Sequence, residues 1–312
     1  FATALRYVDR ATGNIYETFA DKIEERKFSG TVIPQIHEAL FGNKGDIVIM
    51  RYLKGITIET FVGNLPKEVL GGDTTGNNEV TGSFLPENIT DVSLSSDAKS
   101  LFYIFSSGDK TIGTTLNLST NQKVQIFSSP FGEWLSFWPN GKLVTLTTKP
   151  AAGIPGYMFG VDTGTKNFSE IFGGINGLTT LGSPDGKAVL YSDDTLLLNL
   201  YNTSTKISTA LGLKTLPEKC VWGASGATVY CAVPQVIPQG TYPDSWYTGE
   251  VSFSDQIWKI DVGAGTTTLL LDPLSVAGGE NIDGIKLSLD ETENYLFFVN
   301  KKDSYLWEFN LK

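Results

Sequence analysis

The chain has 312 residues, of which 41% are hydrophobic and 19% are charged, and its formal net charge is −10. Lys and Arg form no stripe, which argues against a nucleic-acid partner, because phosphates require concentrated positive charge. The sequence contains no run of about 20 apolar residues, so it predicts no transmembrane segment. It opens on Phe1 rather than Met, so we expect an upstream segment.

A polar turn between two apolar runs recurs along the chain at intervals of about 40 to 66 residues. Its best example is Ser183–Lys187, where Asp-Gly between apolar runs is a strong hairpin signal. The other turns are Gly42–Asp46, Ser95–Lys99, Trp138–Lys142, Trp222–Gly226 and Ser288–Thr292. This spacing is typical of propeller blades, with two insertions.

Each period continues with a third apolar run, a polar turn and a fourth run, which predicts four antiparallel strands, a to d. Leu5–Glu17 aligns without a gap on Leu296–Glu308, so the chain should begin with strands b, c and d and end with a, b and c. Asp21–Lys27, the best helix candidate, is interpreted as a solvated turn. The predicted units are 1–32, 33–90, 91–127, 128–172, 173–212, 213–280 and 281–312.

These patterns predict one all-β domain over residues 1–312, a seven-bladed β-propeller of four-stranded antiparallel blades. Six blades is the alternative, if the terminal pieces merge.

The two cysteines, Cys220 and Cys231, lie symmetrically about the turn-like Ala224–Ala227. In a hairpin centred there, they face each other across two strands, close enough for a disulfide. Two buried free thiols are the alternative interpretation. A disulfide would indicate an oxidising compartment.

The Ser183–Lys187 turn, followed by apolar and aromatic residues, resembles the signature of WD40-like (PD40, TolB-type) bacterial β-propeller repeats. Ser95–Lys99, Trp138–Lys142 and Ser288–Thr292 are weaker copies, and the Gly-His and Trp-Asp pairs of true WD40 repeats are absent. The chain is similar to uncharacterised exported bacterial propellers of this type, which implies an extracytoplasmic or cell-surface location. Related propellers act as protein-interaction platforms or as non-catalytic partners of hydrolase domains.

Catalytic and metal chemistry have few candidate residues. His37, the single histidine, has no nucleophile elbow beside it and is interpreted as structural. One His and two Cys cannot supply a zinc site, and Asp73–Asn78 lacks EF-hand spacing, so we predict no metal or cofactor. A glycosidase needs two carboxylates about 5 to 10 Å apart. The candidates near one rim are Asp244, Glu250, Asp255, Glu280 and Asp283.

The predicted loops are unequal in length. Strands a and c run the same way, so the b–c and d–a loops share one face, and the long loops Lys149–Tyr157, Pro234–Ser254 and Asp272–Asp283 fall there. Only Pro66–Asn78, interpreted as a c–d connection, departs from this pattern. Long loops on a rigid scaffold often bind partners. The predicted binding residues are Tyr157, Tyr242, Asp244, Trp246, Tyr247 and Glu250; alternatively, Trp246 and the tyrosines hold the long loop against neighbouring blades.

The sequence thus favours a non-catalytic extracytoplasmic binding or scaffold propeller that engages a protein or a glycan through this face. One alternative is a carboxylate-based glycosidase or lyase, with its site in the central opening of that face. Another is a regulatory domain of a longer hydrolase chain.

Overall fold

The computed structural model describes residues 4–20, 22, 24–30, 32–65, 78–276 and 279–312. The chain divides into two compact units, residues 1–141 and 142–312. The strands form seven consecutive antiparallel sheets, which confirms the predicted seven-bladed β-propeller fold. The extent of a single domain over residues 1–312 stays a prediction.

The first unit contains three sheets and one further strand. The strands are β1 Ala4–Val8, β2 Ile15–Phe19 and β3 Glu25–Lys27; β4 Ile36–Gly42, β5 Ile47–Lys54, β6 Thr57–Asn64 and β7 Thr81–Phe84; β8 Ile89–Leu94, β9 Ser100–Ser107, β10 Lys110–Asn117 and β11 Lys123–Ser129; and β12 Trp134–Asn140. The sheet orders are β1-β2-β3, β4-β5-β6-β7 and β8-β9-β10-β11, and β12 is the first strand of the fourth sheet.

The second unit continues the same pattern. Its strands are β13 Leu143–Thr148, β14 Pro155–Asp162 and β15 Phe168–Asn176; β16 Thr179–Gly182, β17 Ala188–Ser192, β18 Leu197–Asn202 and β19 Ser208–Lys214; β20 Cys220–Trp222, β21 Thr228–Pro234, β22 Asp255–Asp261 and β23 Thr266–Leu271; and β24 Gly284–Leu289, β25 Tyr295–Asn300 and β26 Leu306–Asn310. Strands that follow each other along the chain pair within each of these sheets.

The terminal sheets have three strands each among the described residues, in the order b, c, d for the first and a, b, c for the seventh. The predicted strand d over residues 25–31 is observed as Glu25–Lys27. Asp21 and Ile23, part of the rejected helix candidate, lie outside the described residues, as do residues 66–77 of the c–d connection.

Strand b of most sheets is a continuous apolar run that is buried on both faces. Ile47–Met50, Leu101–Ile104 and Val229–Val233 are all buried, because a sheet that packs between two neighbours exposes neither face. In the second unit, Leu190 and Leu198 of the fifth sheet pack with Trp222 and Ile260 of the sixth. The core is therefore a series of apolar layers between consecutive sheets.

The connections between strands lie at two opposite ends of each sheet. The b–c and d–a connections lie at one end, here called the loop end, and the a–b and c–d turns lie at the other, here called the turn end. The long loops at residues 149–154, 235–254 and 272–283 are all at loop ends. One short helix, α1 (Asp244–Tyr247), was not predicted; it lies within the loop at residues 235–254, where packed side chains fix its single turn.

The Ser183–Lys187 turn joins β16 to β17 at the turn end. One carboxylate oxygen of Asp185 accepts hydrogen bonds from the Ser183 hydroxyl at 2.7 Å and from the Lys187 backbone N–H at 3.0 Å. Gly186 adopts φ +72°, which a residue with a side chain rarely takes. The equivalent Asp97 accepts from Ser95 and Lys99 in the same way. Asp185 therefore shapes the turn.

Cys220 and Cys231 form a disulfide between β20 and β21. The two residues are directly paired across the strands, their Cα atoms are 4.0 Å apart, and both side chains are buried. The bond joins the first two strands of the sixth sheet, next to the start of the loop at residues 235–254.

None of the helices in the described part of the chain has the length and apolarity needed to span a membrane.

We expect Asp185→Ala to lower the free energy of unfolding by about 1 kcal/mol, because two turn hydrogen bonds are lost at a half-exposed site. The Ser183 hydroxyl and the Lys187 N–H lower the pKa of Asp185, so its contribution is present at neutral pH and disappears as the pH falls through that lowered value. Urea unfolding at pH 7 and pH 3 measures both effects. An equal loss at the two pH values would contradict this role.

We expect replacement of both cysteines, Cys220→Ala with Cys231→Ala, to lower the free energy of unfolding by about 2 to 4 kcal/mol. The bond closes a short loop in the unfolded chain, and the variant loses that constraint. Urea unfolding measures the loss, and circular dichroism checks that the variant retains its strands. Unchanged stability would show that the bond does not contribute to folding.

Candidate functional site

Large apolar side chains are exposed mainly at the loop ends of the sheets. Among the described residues of the first unit, the strongly exposed ones are Val32, Leu53, Ile56, Phe84 and Phe131, all at loop ends. In the second unit, the loop ends expose Ile154, Tyr157, Val236, Tyr247, Leu274, Val276, Tyr305 and Leu306, whereas Phe168, Ile207 and Leu269 lie elsewhere. Within each unit, exposed apolar side chains concentrated at the loop ends are typical of an interaction surface.

The loop at residues 235–254 is held in place by its own aromatic side chains. Tyr242 and Trp246 are 6% and 5% exposed, and they pack with Leu196, Leu216 and Phe253 of the same unit. The Tyr242 hydroxyl donates to the Pro238 carbonyl at 2.6 Å. Their burial agrees with the alternative interpretation, in which these rings fix the loop, and it leaves no ring face open to a partner.

Tyr247 and Tyr157 are the exposed aromatic members of the predicted set, at 37% and 38%. Tyr247 ends α1, and its hydroxyl donates to the Glu218 carboxylate. Partial burial and the negative charge of Glu218 raise the pKa of Tyr247 well above its ordinary value, so the phenol is protonated at neutral pH. Tyr157 is the third residue of β14, where its backbone N–H donates to the Thr148 hydroxyl at 3.0 Å.

Asp244 joins two of the predicted loops. Its carboxylate accepts a hydrogen bond from the backbone N–H of Ala152 at 2.7 Å. Ala152 belongs to the b–c loop of the fourth sheet and Asp244 to that of the sixth, so the contact passes across the fifth sheet, whose own b–c connection is short. Glu250 is exposed and accepts from the Ser245 hydroxyl at 2.8 Å. Both carboxylates therefore order the loop.

Three charged side chains form a buried cluster beneath this loop. The Lys219 ammonium lies 2.8 Å from a carboxylate oxygen of Asp255 and 2.5 Å from one of Asp283, and all three side chains are 0% exposed. The ammonium also donates to the Gly284 carbonyl at 2.9 Å. Two carboxylates share one ammonium, so full ionisation would leave one buried negative charge uncompensated.

The two carboxyl groups have different environments. Asp283 accepts from Trp246 Nε1 at 3.1 Å, from the Ser252 hydroxyl at 3.1 Å and from the Phe253 N–H at 3.0 Å. Burial opposes its ionisation, but Lys219 and these donors outweigh burial and lower the pKa of Asp283. Burial raises the pKa of Asp255, and one of its oxygens, Oδ1, has no partner among the described residues. Asp283 is thus the charged partner of Lys219, and it holds the loop through Trp246.

Lys301, from the b–c turn of the seventh sheet, also contacts Trp246. Its ammonium donates to the Trp246 carbonyl and lies 3.8 Å from the centre of the Trp246 ring. Partial burial lowers the pKa of Lys301. Trp246 is therefore held by Asp283 at its ring nitrogen and by Lys301 at its backbone.

The proposed enzymatic carboxylates do not converge as a set. Asp255 and Asp283 are buried with Lys219, whereas Glu250 and Glu280 are exposed. His37 is exposed on β4. Within the described ranges, no three His, Cys, Asp or Glu side chains are grouped as metal ligands, and most of the candidate calcium loop, residues 73–77, lies outside those ranges.

A second polar cluster lies in the first unit, on inner strands that sequence reasoning did not single out. The buried Arg51 donates to Glu38 at 2.6 Å and to the Ile89 carbonyl at 2.7 Å. The Ser136 backbone N–H donates to Asp91 at 2.5 Å. Burial raises the pKa of Asp91 to about 6. The arrangement ties the second, third and fourth sheets together near their inner edges.

Sequence reasoning also missed Glu218, Lys219 and Lys301. Nothing near Lys219 in the sequence distinguishes it from a surface lysine, because its two carboxylate partners lie 36 and 64 residues further along the chain. The one local signal is its position directly before Cys220, a buried strand residue.

No family model and no curated protein matches this sequence. Solved structures do resemble it. TolB from Acinetobacter baumannii is 16% identical with a TM-score of 0.53, over 85% of this chain and 62% of that chain, so the chain spans less than two thirds of TolB.

Two further structures match over almost the whole chain. A functionally unknown protein from Desulfotomaculum acetoxidans is 14% identical with a TM-score of 0.64, over 99% of this chain and 92% of that one. An oligogalacturonate lyase from Vibrio parahaemolyticus is 10% identical with a TM-score of 0.58, over 98% and 96%. At these identities the similarity shows a shared propeller fold alone.

We expect Lys219→Met to lower the free energy of unfolding by about 3 to 5 kcal/mol at pH 7, because it leaves two buried carboxylates without their cation. Without the ammonium, the pKa of each carboxyl rises above its unfolded value, so the variant gains stability as the pH falls. The difference in the free energy of unfolding between the variant and the wild-type protein should therefore decrease as the pH is lowered from 7 to 4. Urea unfolding at the two pH values measures this difference.

The matched control is Lys302→Met, which removes an exposed lysine of the same unit and should change stability by less than about 0.5 kcal/mol. Equal effects of the two substitutions would contradict the role given to Lys219.

Proposed function

We propose that this protein is a non-catalytic binding or scaffold propeller that engages a protein or glycan partner through the loop end of its second unit. The observation that carries the proposal is the concentration of exposed apolar side chains at loop ends, where the long loops at residues 149–154, 235–254 and 272–283 also lie. A large apolar side chain left in water at a loop end contributes nothing to the core, but it contributes strongly once a partner covers it.

The order of the loop at residues 235–254 supports the same proposal. Tyr242 and Trp246 fix the loop from below, while Tyr247 and Tyr157 remain exposed above. A loop that is already ordered loses little conformational entropy when it binds. In this proposal, Asp244 and Glu250 keep the exposed tyrosines in position, and Tyr242 and Trp246 act as anchors without touching the partner.

The proposed location is extracytoplasmic. The Cys220–Cys231 disulfide supports it, because such bonds persist in oxidising compartments and are rare in the cytosol. The fold likeness to TolB is compatible with this location.

We expect the combined variant Ile154→Ser, Tyr157→Ser, Tyr247→Ser to lose at least about tenfold in affinity for any ligand detected on peptide and oligosaccharide arrays. The matched control replaces three exposed apolar side chains away from the loop end, Phe168→Ser, Ile207→Ser and Leu269→Ser, and should bind like the wild-type protein. Circular dichroism checks both folds. Ligand binding that survives the first variant, or is lost equally in the control, would refute the proposed surface.

A polysaccharide depolymerisation screen addresses the enzymatic alternative. We expect no cleavage by the purified protein. Cleavage that disappears in Glu250→Gln or Glu280→Gln would replace the binding proposal with a carboxylate-based enzyme.

A further inference from the structure

Most of the exposed apolar side chains at the loop end of the second unit are aliphatic, which is the wrong kind for a sugar. Val236, Ile154, Leu274 and Val276 are 73%, 60%, 53% and 48% exposed, all more than Tyr157 and Tyr247. Tyr305, in the b–c turn of the seventh sheet, is the one strongly exposed aromatic side chain among the described residues at these loop ends, at 69%. Sugars stack on flat aromatic faces and otherwise need hydrogen bonds, so aliphatic side chains add little to a glycan site. Aliphatic side chains pack well against the apolar side chains of a polypeptide, and the cores of protein–protein interfaces bury such contacts.

The charges around these apolar residues have one dominant sign. The three connections that carry them, residues 149–154, 235–254 and 272–283, together with residues 215–219, whose Glu218 accepts from Tyr247, hold five carboxylates at or near the surface: Glu218, Asp244, Glu250, Asp272 and Glu280. In the described parts of the same connections, the lysines are Lys149 and the fully buried Lys219. The nearby Lys301 has its ammonium on the Trp246 carbonyl.

We propose that the partner of this surface is a basic polypeptide segment, in which lysine or arginine side chains alternate with apolar ones. The proposal rests on the proposed function and adds the chemical class of the partner. Apolar side chains of the segment cover Ile154, Val236 and Leu274, while its cations lie beside the carboxylates. The Glu218–Tyr247 pair is the central contact, because it presents an exposed carboxylate and an exposed aromatic ring together.

The overall charge of the protein acts in the same direction. A net charge of −10 attracts a basic segment during the encounter and repels anionic membranes and nucleic acids. Opposite charges at the rim of an interface mainly speed up association. Because salt screens the attraction between exposed charges, binding should weaken as the salt concentration is raised.

The test uses three labelled twelve-residue peptides, measured by fluorescence anisotropy against the whole chain. Each peptide contains four leucines and four glycines, and the remaining four positions are lysine, serine or glutamate. We expect the lysine peptide to bind at least about tenfold more tightly than the serine peptide, and the glutamate peptide to bind least. The affinity of the lysine peptide should fall at least about threefold between 50 and 300 mM salt.

Two charge variants with the same net charge separate local from general attraction. Glu218→Gln with Glu250→Gln removes two carboxylates at the loop end, and the glutamines can still accept the Tyr247 and Ser245 hydrogen bonds. Glu170→Gln with Glu291→Gln removes two from elsewhere in the second unit. The first variant should lose at least about fivefold in affinity for the lysine peptide, and the second less than twofold.

The remaining outcomes overturn the proposal. A serine peptide that binds as tightly as the lysine peptide, equal losses in the two charge variants, or no binding of the lysine peptide at 1 mM each excludes a basic partner segment. If the serine peptide or an oligosaccharide binds, and Ile154→Ser, Tyr157→Ser, Tyr247→Ser abolishes that binding, the surface is retained and only the partner class fails. If neither the triple serine variant nor the Glu218→Gln, Glu250→Gln variant changes the affinity, the proposed function fails as well.

Discussion

The loop end of the second unit depends on one interaction, the buried ion pairing of the Lys219 ammonium with Asp255 and Asp283. Removing an ammonium and two carboxylates from water costs several kcal/mol for each ion, so the cluster is tolerated only because its groups satisfy one another. Asp283 meets this requirement with Lys219 on one side and with Trp246, Ser252 and Phe253 on the other. The groups that stabilise the charge are thus the groups that fix the loop.

This coupling separates the aromatic residues of the loop into two kinds. Tyr242 and Trp246 fill an apolar cluster with Phe253, whereas Tyr247 faces solvent beside Glu218. Because the buried pair already holds the loop, a partner that contacts the exposed side chains does not have to order it first. The Asp244–Ala152 hydrogen bond extends the ordered region to the loop of the fourth sheet. The result is a pre-organised surface on an otherwise regular scaffold.

The two ends of the sheets have different roles in this molecule. The turn ends carry short hairpins such as Ser183–Lys187, whose Asp185 carboxylate accepts a hydrogen bond from the Lys187 backbone N–H and fixes the turn. The loop ends carry the long loops at residues 149–154, 235–254 and 272–283 and most of the exposed apolar side chains of the described residues. The motif that makes the fold recognisable therefore lies away from the proposed binding surface, which is why likeness to TolB or to an oligogalacturonate lyase is informative about fold alone.

The strands and their order along the chain follow from the sequence alone, which favoured seven blades over six and placed Cys220 opposite Cys231 without deciding whether the two are bridged. Each of these follows from local chemistry: apolar runs, Asp-Gly turns and a fixed repeat need only neighbouring residues. It also indicated which loops are long and share one end of the sheets. The sequence could not indicate which of two adjacent aromatic residues is buried and which is exposed: Trp246 is buried and Tyr247 is exposed. That difference, like the burial of Lys219, depends on the tertiary structure. Asp283 directly precedes the seventh sheet and Lys301 lies in its b–c turn, and both contact the loop only when the sheets pack together.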